Sequence, residues 1–516
     1  MSVDYRSLWE SAGGVVPKHW KFITIEALLE HPKSISVGVM YPGSNTLGGT
    51  PLVKVSDVKN GAIAVKPDFC ISKNVDDEYK RSRLNGSELL LTLVGNPGDC
   101  VIVTEDMAGW NAARALAVIR LSDIELRSWI RYVLLSKPAK HLIDARLNTT
   151  VQKTLNLKDV KELSLPVPSK VEREEITKII DVIESKLLLN RQTNQTLEQI
   201  AQAIFKSWFV DFEPTRAKIK VKESWLAAHQ SVELSSPTCY AEQFDNQHNI
   251  SLQEAMNRAA MAAISGAVPG CTNVAGGTKP GATKTKAELN NLPADILQQL
   301  RTTAELFPDT LVESELGEIP EGWEVKALDD IAHYQNGLAL QKFRPKGEEP
   351  FLPVLKISQL KKGFADAEEK ATASIKPECV VDDGDVIFSW SGSLLVDVWC
   401  GGKVALNQHL FKVTSQNNPK WFYYYYWTKY HLKMFQQIAA DKAVTMGHIK
   451  REHLSQAKCV IPNCDIDSFG VFSDLLEKQI EQRVENFTLE QLRDTLLPKL
   501  LSGELSLADT DSQAMQ

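Results

Sequence analysis

Between Val171 and Phe209 the apolar positions fall at Ile176, Ile180, Ile183, Leu187, Leu197, Ala201, Ile204 and Trp208, with Asn190 and Asn194 inside the same seam. Steps of four and three alternate, the heptad spacing of a helix lying along another helix. No proline or glycine interrupts the run. At about 1.5 Å per residue such a helix is roughly 60 Å long, and a lone helix of that length has nowhere to bury its stripe. The chain supplies a partner. Asn194 to Ile200 recurs as Asn486 to Leu492 with a shared Thr-Leu-Glu-Gln, an offset of 292 residues (486 minus 194). The second segment runs from near Asp467 to Pro498. Its less regular stripe uses Phe472, Leu475, Leu476, Gln479, Ile480, Phe487, Leu489, Leu492 and Leu496. The pattern predicts two long helices, one closing each half of a duplicated chain. Buried asparagines in such a seam fix register at some cost in stability.

Upstream of the first helix the period changes to that of strands. His19 to Ile25 alternates, and Leu52 to Val55 is a second strand running into the polar turn Ser56 to Gly61. Glu88 to Val94 reads as a buried strand, ended by Gly95-Asn96-Pro97-Gly98. Cys100 to Val103 and Ala115 to Ile119 follow. Ser128 to Leu147 is predicted helical, Asn148 to Lys153 a polar loop, and Leu163 to Pro168 the last strand.

The second half answers the first in order. Gly322 to Val325 matches His19 to Phe22. Lys356 to Gly363 matches Lys54 to Gly61 at an offset of 302, and Asp385 to Ser389 matches Glu88 to Thr92 at 297. Ala443 to Pro462 matches Thr149 to Pro168 at 294. Ordered matches with slowly drifting offsets indicate an internal repeat. Residues 213–316 differ in texture: Glu213 to Glu223 is polar and lysine-rich, Ser251 to Ile264 and Leu292 to Leu306 read as short helices, and Val268 to Lys286 as loop.

At 516 residues the chain exceeds one core, and about 150 residues per domain suggests three or four units. The net charge of −7 confines any nucleic-acid binding to local basic patches or to a more basic partner. The eight cysteines (Cys70, Cys100, Cys239, Cys271, Cys379, Cys400, Cys459, Cys464) form no CxxC pair and no zinc spacing, which reads as reduced cytoplasmic thiols. The N-terminus has no apolar leader core and no run of about 18 apolar residues occurs, so neither secretion nor a membrane span is expected.

The duplicated layout resembles the specificity subunit of Type I restriction-modification enzymes over nearly the whole chain. The most specific pieces are Ile204 to Pro214 with Arg216-Ala217-Lys218, Glu315 to Trp323, and Leu496 to Leu505. Two departures are Pro17-Lys18-His19-Trp20, which lacks the usual glycine before the tryptophan, and Thr445-Met446-Gly447, where the Gln-Lys element of the first half is lost. The resemblance implies an α+β fold: two repeated strand-rich target recognition domains, each followed by a long α-helix, the two helices pairing as an antiparallel coiled coil. The expected layout is residues 1–168 for the first recognition domain, 169–212 for the first spacer helix, 213–316 for a connector, 317–463 for the second recognition domain, 464–505 for the second helix and 506–516 for a tail.

The resemblance further implies a non-catalytic, cytoplasmic reader of split, asymmetric double-stranded DNA. Two methyltransferase subunits and motor-nuclease subunits would be its partners. S-adenosylmethionine, ATP and Mg would sit on those partners, with no cofactor in this chain. A tandem repeat suits two half-sites on a duplex. Polar loops can reach base edges while lysines position on phosphates. The candidate DNA-binding residues are Ser56, Lys59, Asn60, Asn96, Thr150, Gln152 and Lys153 in the first half. In the second they are Ser358, Gln359, Lys361, Lys362, Ser391, Gln408, His409, Thr445, His448 and Lys450. The candidate partner-binding helix positions are Ile176, Ile180, Ile183, Leu187, Asn194, Leu197, Trp208, Leu489, Leu492 and Leu496.

Other readings compete. Each loop residue could be an ordinary solvated side chain, and His409 a packed structural histidine. Trp421 to Trp427 could stack bases, but it aligns with the Trp129 to Leu135 helix and is expected in the core. Asp309 with Glu324-Val325-Lys326 loosely fits a metal-dependent nuclease. The first half lacks an equivalent acid, however. Asn96-Pro97-Gly98 is not the Asn-Pro-Pro-aromatic loop of an amino-methyltransferase, and no Walker A sequence occurs. The alternative from another class is a duplicated scaffold that binds protein rather than DNA.

Overall fold

A computed structural model describes residues 4–58, 61–63, 66–147, 153–233, 251–267, 289, 292–415, 421–441, 447–464 and 469–505. The chain divides into two units: Met1–Gln192 with Thr488–Gln516, and Thr193–Phe487. The segment expected as loop at Val268 to Lys286 and the tail 506–516 lie outside the described residues.

The first unit holds β1 (Lys21–Thr24), β2 (Ile35–Val37), β3 (Thr50–Val53), β4 (Cys70–Ile71), β5 (Leu89–Thr92), β6 (Cys100–Ile102), β7 (Asn111–Ala112), β8 (Leu116–Ile119) and β9 (Ser164–Val167). They assemble as β2-β8-β5-β6, β4-β3-β7 and the pair β1-β9. The apolar run in β5 follows from burial on both faces. Leu89 and Leu91 enter one cluster with Trp129 and Val133, whereas Leu90 enters another with Val101 and Val118.

The second unit holds β10 (Leu311–Ser314), β11 (Gly317–Pro320), β12 (Glu324–Ala327), β13 (His333–Asn336), β14 (Phe351–Leu355), β15 (Lys370–Thr372), β16 (Val380–Val381), β17 (Val386–Ser389), β18 (Val396–Val398), β19 (Val404–Leu406), β20 (Leu410–Thr414) and β21 (Lys458–Ile461). The repeat read from sequence is a repeat of topology. The order β13-β20-β17-β18 matches β2-β8-β5-β6, and β12-β21 matches β1-β9. The sheet β15-β14-β19-β16 matches β4-β3-β7 with one strand added, and β3–β7 and β14–β19 are both parallel pairs. Even side-chain bonds recur. Trp129 Nε1 donates to Pro166 O, and Tyr423, 294 positions on (423 minus 129), donates its hydroxyl to Val460 O. Tyr423 to Trp427 are buried, so the aromatic run is core.

The first long helix is Lys170–Phe209 and the second Val471–Ser502. In the first unit they run antiparallel: Arg493 Nη1 lies 2.9 Å from Glu184 Oε1, and Arg191 Nη2 lies 2.6 Å from Glu490 Oε1. In the second unit Phe205 and Trp208 meet Phe472 edge-on. Ile176, Ile180, Ile183, Leu187 and Trp208 are buried as expected, but the seam serves two purposes. Ile176 and Ile180 pack into the first unit's core, and Trp208 into the second's. Leu197, Leu489 and Leu496 are half-buried, and Leu492 is exposed, a correction to the expected stripe. The buried positions near the end of the second helix are Leu497, Leu500 and Leu501, a face that turns Leu492 outward.

One further expectation needs correction. The single helix over Ser128 to Leu147 is two, Leu126–Leu135 and Lys137–Asp144, because Ser136 caps the second and Pro138 sits in its first turn. The lysine-rich start of the connector is a helix, Glu213–Glu233. It separates from the first long helix at Phe212, a non-glycine residue at φ 54° whose ring is buried edge-on to Trp323. Such backbone strain persists where packing fixes it. Lys218 in this helix is buried and its Nζ donates to Phe307 O at 2.6 Å.

Candidate nucleic-acid interface

In the first unit three polar segments converge. Ser56 is exposed in the one-turn helix Val55–Asp57, whose Asp57 carboxylate accepts from Lys54 N at 2.8 Å. Val55 Cγ1 lies 4.0 Å from where Gly95 would carry a Cβ, so this turn abuts the β5–β6 loop. Asn96 in that loop is exposed, and its Nδ2 donates to Asp99 Oδ2 at 2.6 Å. Lys153 is exposed beside Thr154, which bridges to Val94, and Leu155 N donates to Leu93 O at 2.8 Å. Lys59, Asn60, Thr150 and Gln152 lie outside the described residues.

The second unit builds the same convergence with different side chains. Ser358, Gln359, Lys361 and Lys362 lie on the helix Ile357–Lys362 after β14, with Ser358 and both lysines exposed and Gln359 half-buried. Ile357 Cδ1 is 3.7 Å from the Cβ position of Gly392, which places this helix against the β17–β18 loop. There Ser391 bridges to His448, and Gly392 N donates to Gly447 O at 2.8 Å. Lys450 is exposed, and its Nζ is 3.4 Å from Glu452. Thr445 lies outside the described residues.

Ser391 departs from the expectation of a base-contacting hydroxyl. It is buried, and its Oγ is 3.0 Å from His409 Nδ1. His409 is half-buried, and its Nε2 faces Gln408 Nε2 at 3.3 Å. Trp390, which the loop-by-loop reading missed, packs between His409 and His448 at ring distances of 5.9 and 6.3 Å. It occupies the place of Leu93, 297 positions earlier (390 minus 93), and its carbonyl accepts from Ile449 N as Leu93 O accepts from Leu155 N. The signal that could have found it is that offset, already visible in the strand repeat.

Of the acids of the nuclease pattern, Asp309 is engaged outside it by Lys222, while Glu324 stays within it. Glu324 pairs with Lys326 at 2.9 Å. Burial would raise the Asp309 carboxyl, but Lys222 at 3.1 Å overrides it and holds it below the ordinary range. Among the described residues no group of three or more His, Cys, Asp or Glu could hold a metal.

Two sheet systems of one topology, each gathering polar loops at a single edge, define a duplicated recognition module. The chain belongs to the Type I restriction modification DNA specificity domain family, which matches it twice, at residues 18–199 and 320–490. It is similar to the Type I restriction enzyme HindI specificity subunit of Haemophilus influenzae, 26% identical, covering 89% of this chain and 95% of that one. The Type I restriction enzyme EcoBI specificity subunit of Escherichia coli is 29% identical over 36% of this chain and 40% of its own. A crystal structure of the S subunit of a Type I restriction-modification system from M. genitalium covers 94% of this chain and 96% of that one, at 13% identity and a TM-score of 0.43.

Proposed function

We propose that this chain is the non-catalytic DNA specificity subunit of a Type I restriction-modification complex, with each unit reading one half of a split, asymmetric duplex site. The observation that carries the reading is the duplicated loop cluster. Ser56, Asn96 and Lys153 in one unit, and Ser358, Lys361, Lys362, Gln408, His448 and Lys450 in the other, stand on equivalent strand ends. Amide and hydroxyl groups can reach base edges, and lysines position on phosphates. The long helices act as the spacer between half-sites. In this reading two methyltransferase subunits and motor-nuclease subunits supply catalysis, with S-adenosylmethionine, ATP and Mg on those subunits, in the cytoplasm. No helix of the described residues is long and apolar enough to cross a membrane.

The test is methylation mapping. The chain is co-expressed with its cognate methyltransferase subunit and the modified adenines are sequenced. The expected result is a bipartite motif with one modified adenine in each half, on opposite strands. A stable complex that methylates no specific sequence would instead support the scaffold reading.

A further inference from the structure

One turn is built identically in both units. In the first, Ala113 N donates to Val53 O at 2.8 Å, Arg114 N to Val39 O at 2.9 Å, Leu116 N to Ala113 O at 2.9 Å, and Gly38 N to Leu116 O at 3.2 Å. In the second, Asn407 N donates to Leu355 O at 3.2 Å, Gln408 N to Leu338 O at 2.9 Å, Leu410 N to Asn407 O at 3.0 Å, and Gly337 N to Leu410 O at 3.1 Å. The offset is 294 (407 minus 113). Both turns need a glycine beside them: a Cβ on Gly38 would lie 2.0 Å from Ala112 O, and one on Gly337 2.3 Å from Asn407 O. The turn is therefore a rigid platform, and Arg114 and Gln408 occupy the same place on it.

Each platform sits among the loops described above. In the first unit Leu93 N donates to Ala115 O at 2.8 Å, which joins the turn to the strand end carrying Asn96 and bridged beside Lys153. In the second, His409 packs on Trp390, next to His448. Arg114 is exposed, and among the described residues its guanidinium has neither a hydrogen bond nor an ion pair. A free guanidinium on a fixed backbone suits the O6 and N7 acceptors of guanine. Gln408 is held differently. With the His409 proton on Nδ1 and donated to Ser391 Oγ, ring Nε2 accepts one amide N–H of Gln408. Where the ring takes the N–H trans to Oε1, the remaining N–H and Oε1 form the edge that matches N7 and N6 of adenine.

Resting on the function proposed above, we infer that this turn is the base-reading element of each unit. Arg114 specifies a guanine in one half of the split site and Gln408 an adenine in the other, with His409 and Ser391 as positioning residues for the Gln408 amide.

The experiment is the same methylation map, made with the full chain in complex with its methyltransferase partner. Arg114→Ala relaxes one guanine position in one half-motif, with discrimination falling roughly 5- to 150-fold, the range of one bidentate base contact. The other half is unchanged. Arg114→Gln moves that position toward adenine. Gln408→Ala relaxes one adenine position in the opposite half, and His409→Ala relaxes that same position and no other, which a merely structural loss would not do. Recovery of the complex with the partner shows that each variant folds. Unchanged motifs in the variants overturn the inference, as does methylation falling equally at every copy of the motif, the signature of phosphate contact. A wild-type motif lacking a fixed guanine in one half or a fixed adenine in the other overturns it too. An unpatterned wild-type map overturns the function itself, and this inference with it.

Discussion

Glu184 centres a buried charge cluster in the first unit. Arg131 Nη2 is 2.7 Å from one carboxylate oxygen and Arg493 Nη1 2.9 Å from the other, and all three side chains are largely buried. Burial pushes the carboxyl up, and the two arginines override it and hold it below its ordinary value. Arg131 also donates to Cys100 O at 3.2 Å, so the cluster ties β6, the helix Leu126–Leu135 and both long helices together. Glu184→Gln leaves the buried Arg131 guanidinium without its carboxylate and Arg493 with only Asp494, 2.7 Å away, and is expected to cost about 3 kcal/mol. Scanning calorimetry of the purified chain would then show a first transition lower by roughly 6–12 °C. A carboxyl held low in the fold contributes stability that is present above its unfolded pKa and lost as pH falls through its folded one. The wild type should therefore lose stability below about pH 4.5, and the variant should lose less over the same range. At Cys100 burial pushes the thiol up to about 12, so it should resist alkylation until the chain unfolds.

The long helices show how far a heptad pattern reaches. Their ends are claimed by the recognition cores, through Ile176 and Ile180 at one end and Ile204 and Trp208 at the other. The middle keeps polar seam residues. Asn190 and Asn486 are buried, and Asn194 Oδ1 is buried with no hydrogen-bond partner among the described residues. An orphaned acceptor costs about 1–3 kcal/mol. Asn194→Leu is accordingly expected to raise the thermal midpoint, read by circular dichroism at 222 nm. A lowered midpoint would mean that this asparagine contributes a contact worth more than its desolvation.

Over the whole molecule the charge balance opposes DNA. With a net charge of −7, the local lysines must work against a repulsive background. The chain alone should bind duplex no more tightly than about 10⁻⁴–10⁻⁶ M at physiological salt, the range of non-specific binding. The assembled complex should bind far more tightly. Fluorescence anisotropy at two salt concentrations would check this. Lys361→Ala with Lys362→Ala should weaken the complex evenly across sequences and reduce its salt slope by about two, because each lysine neutralises about one phosphate.

The repeat, the strands and the helices were legible in the sequence because their signals are local. Leu89 to Thr92 announces a strand buried on both faces, and Ile176 to Trp208 a helix with one apolar face, without reference to any distant residue. Slow drift in the offsets was enough to pair the halves. Tertiary structure alone decided what those faces meet. Leu492 fits the stripe on paper yet faces solvent, because neighbouring positions on the same helix took the core. Ser391 looks like a surface hydroxyl yet is spent on His409, and Arg114 is an unremarked arginine until the backbone bonds of its turn align it with Gln408. Periodicity states which face of an element is apolar. Which polar side chain is left unpaired at a rigid turn depends on contacts between residues far apart in the chain, and only the folded structure contains those.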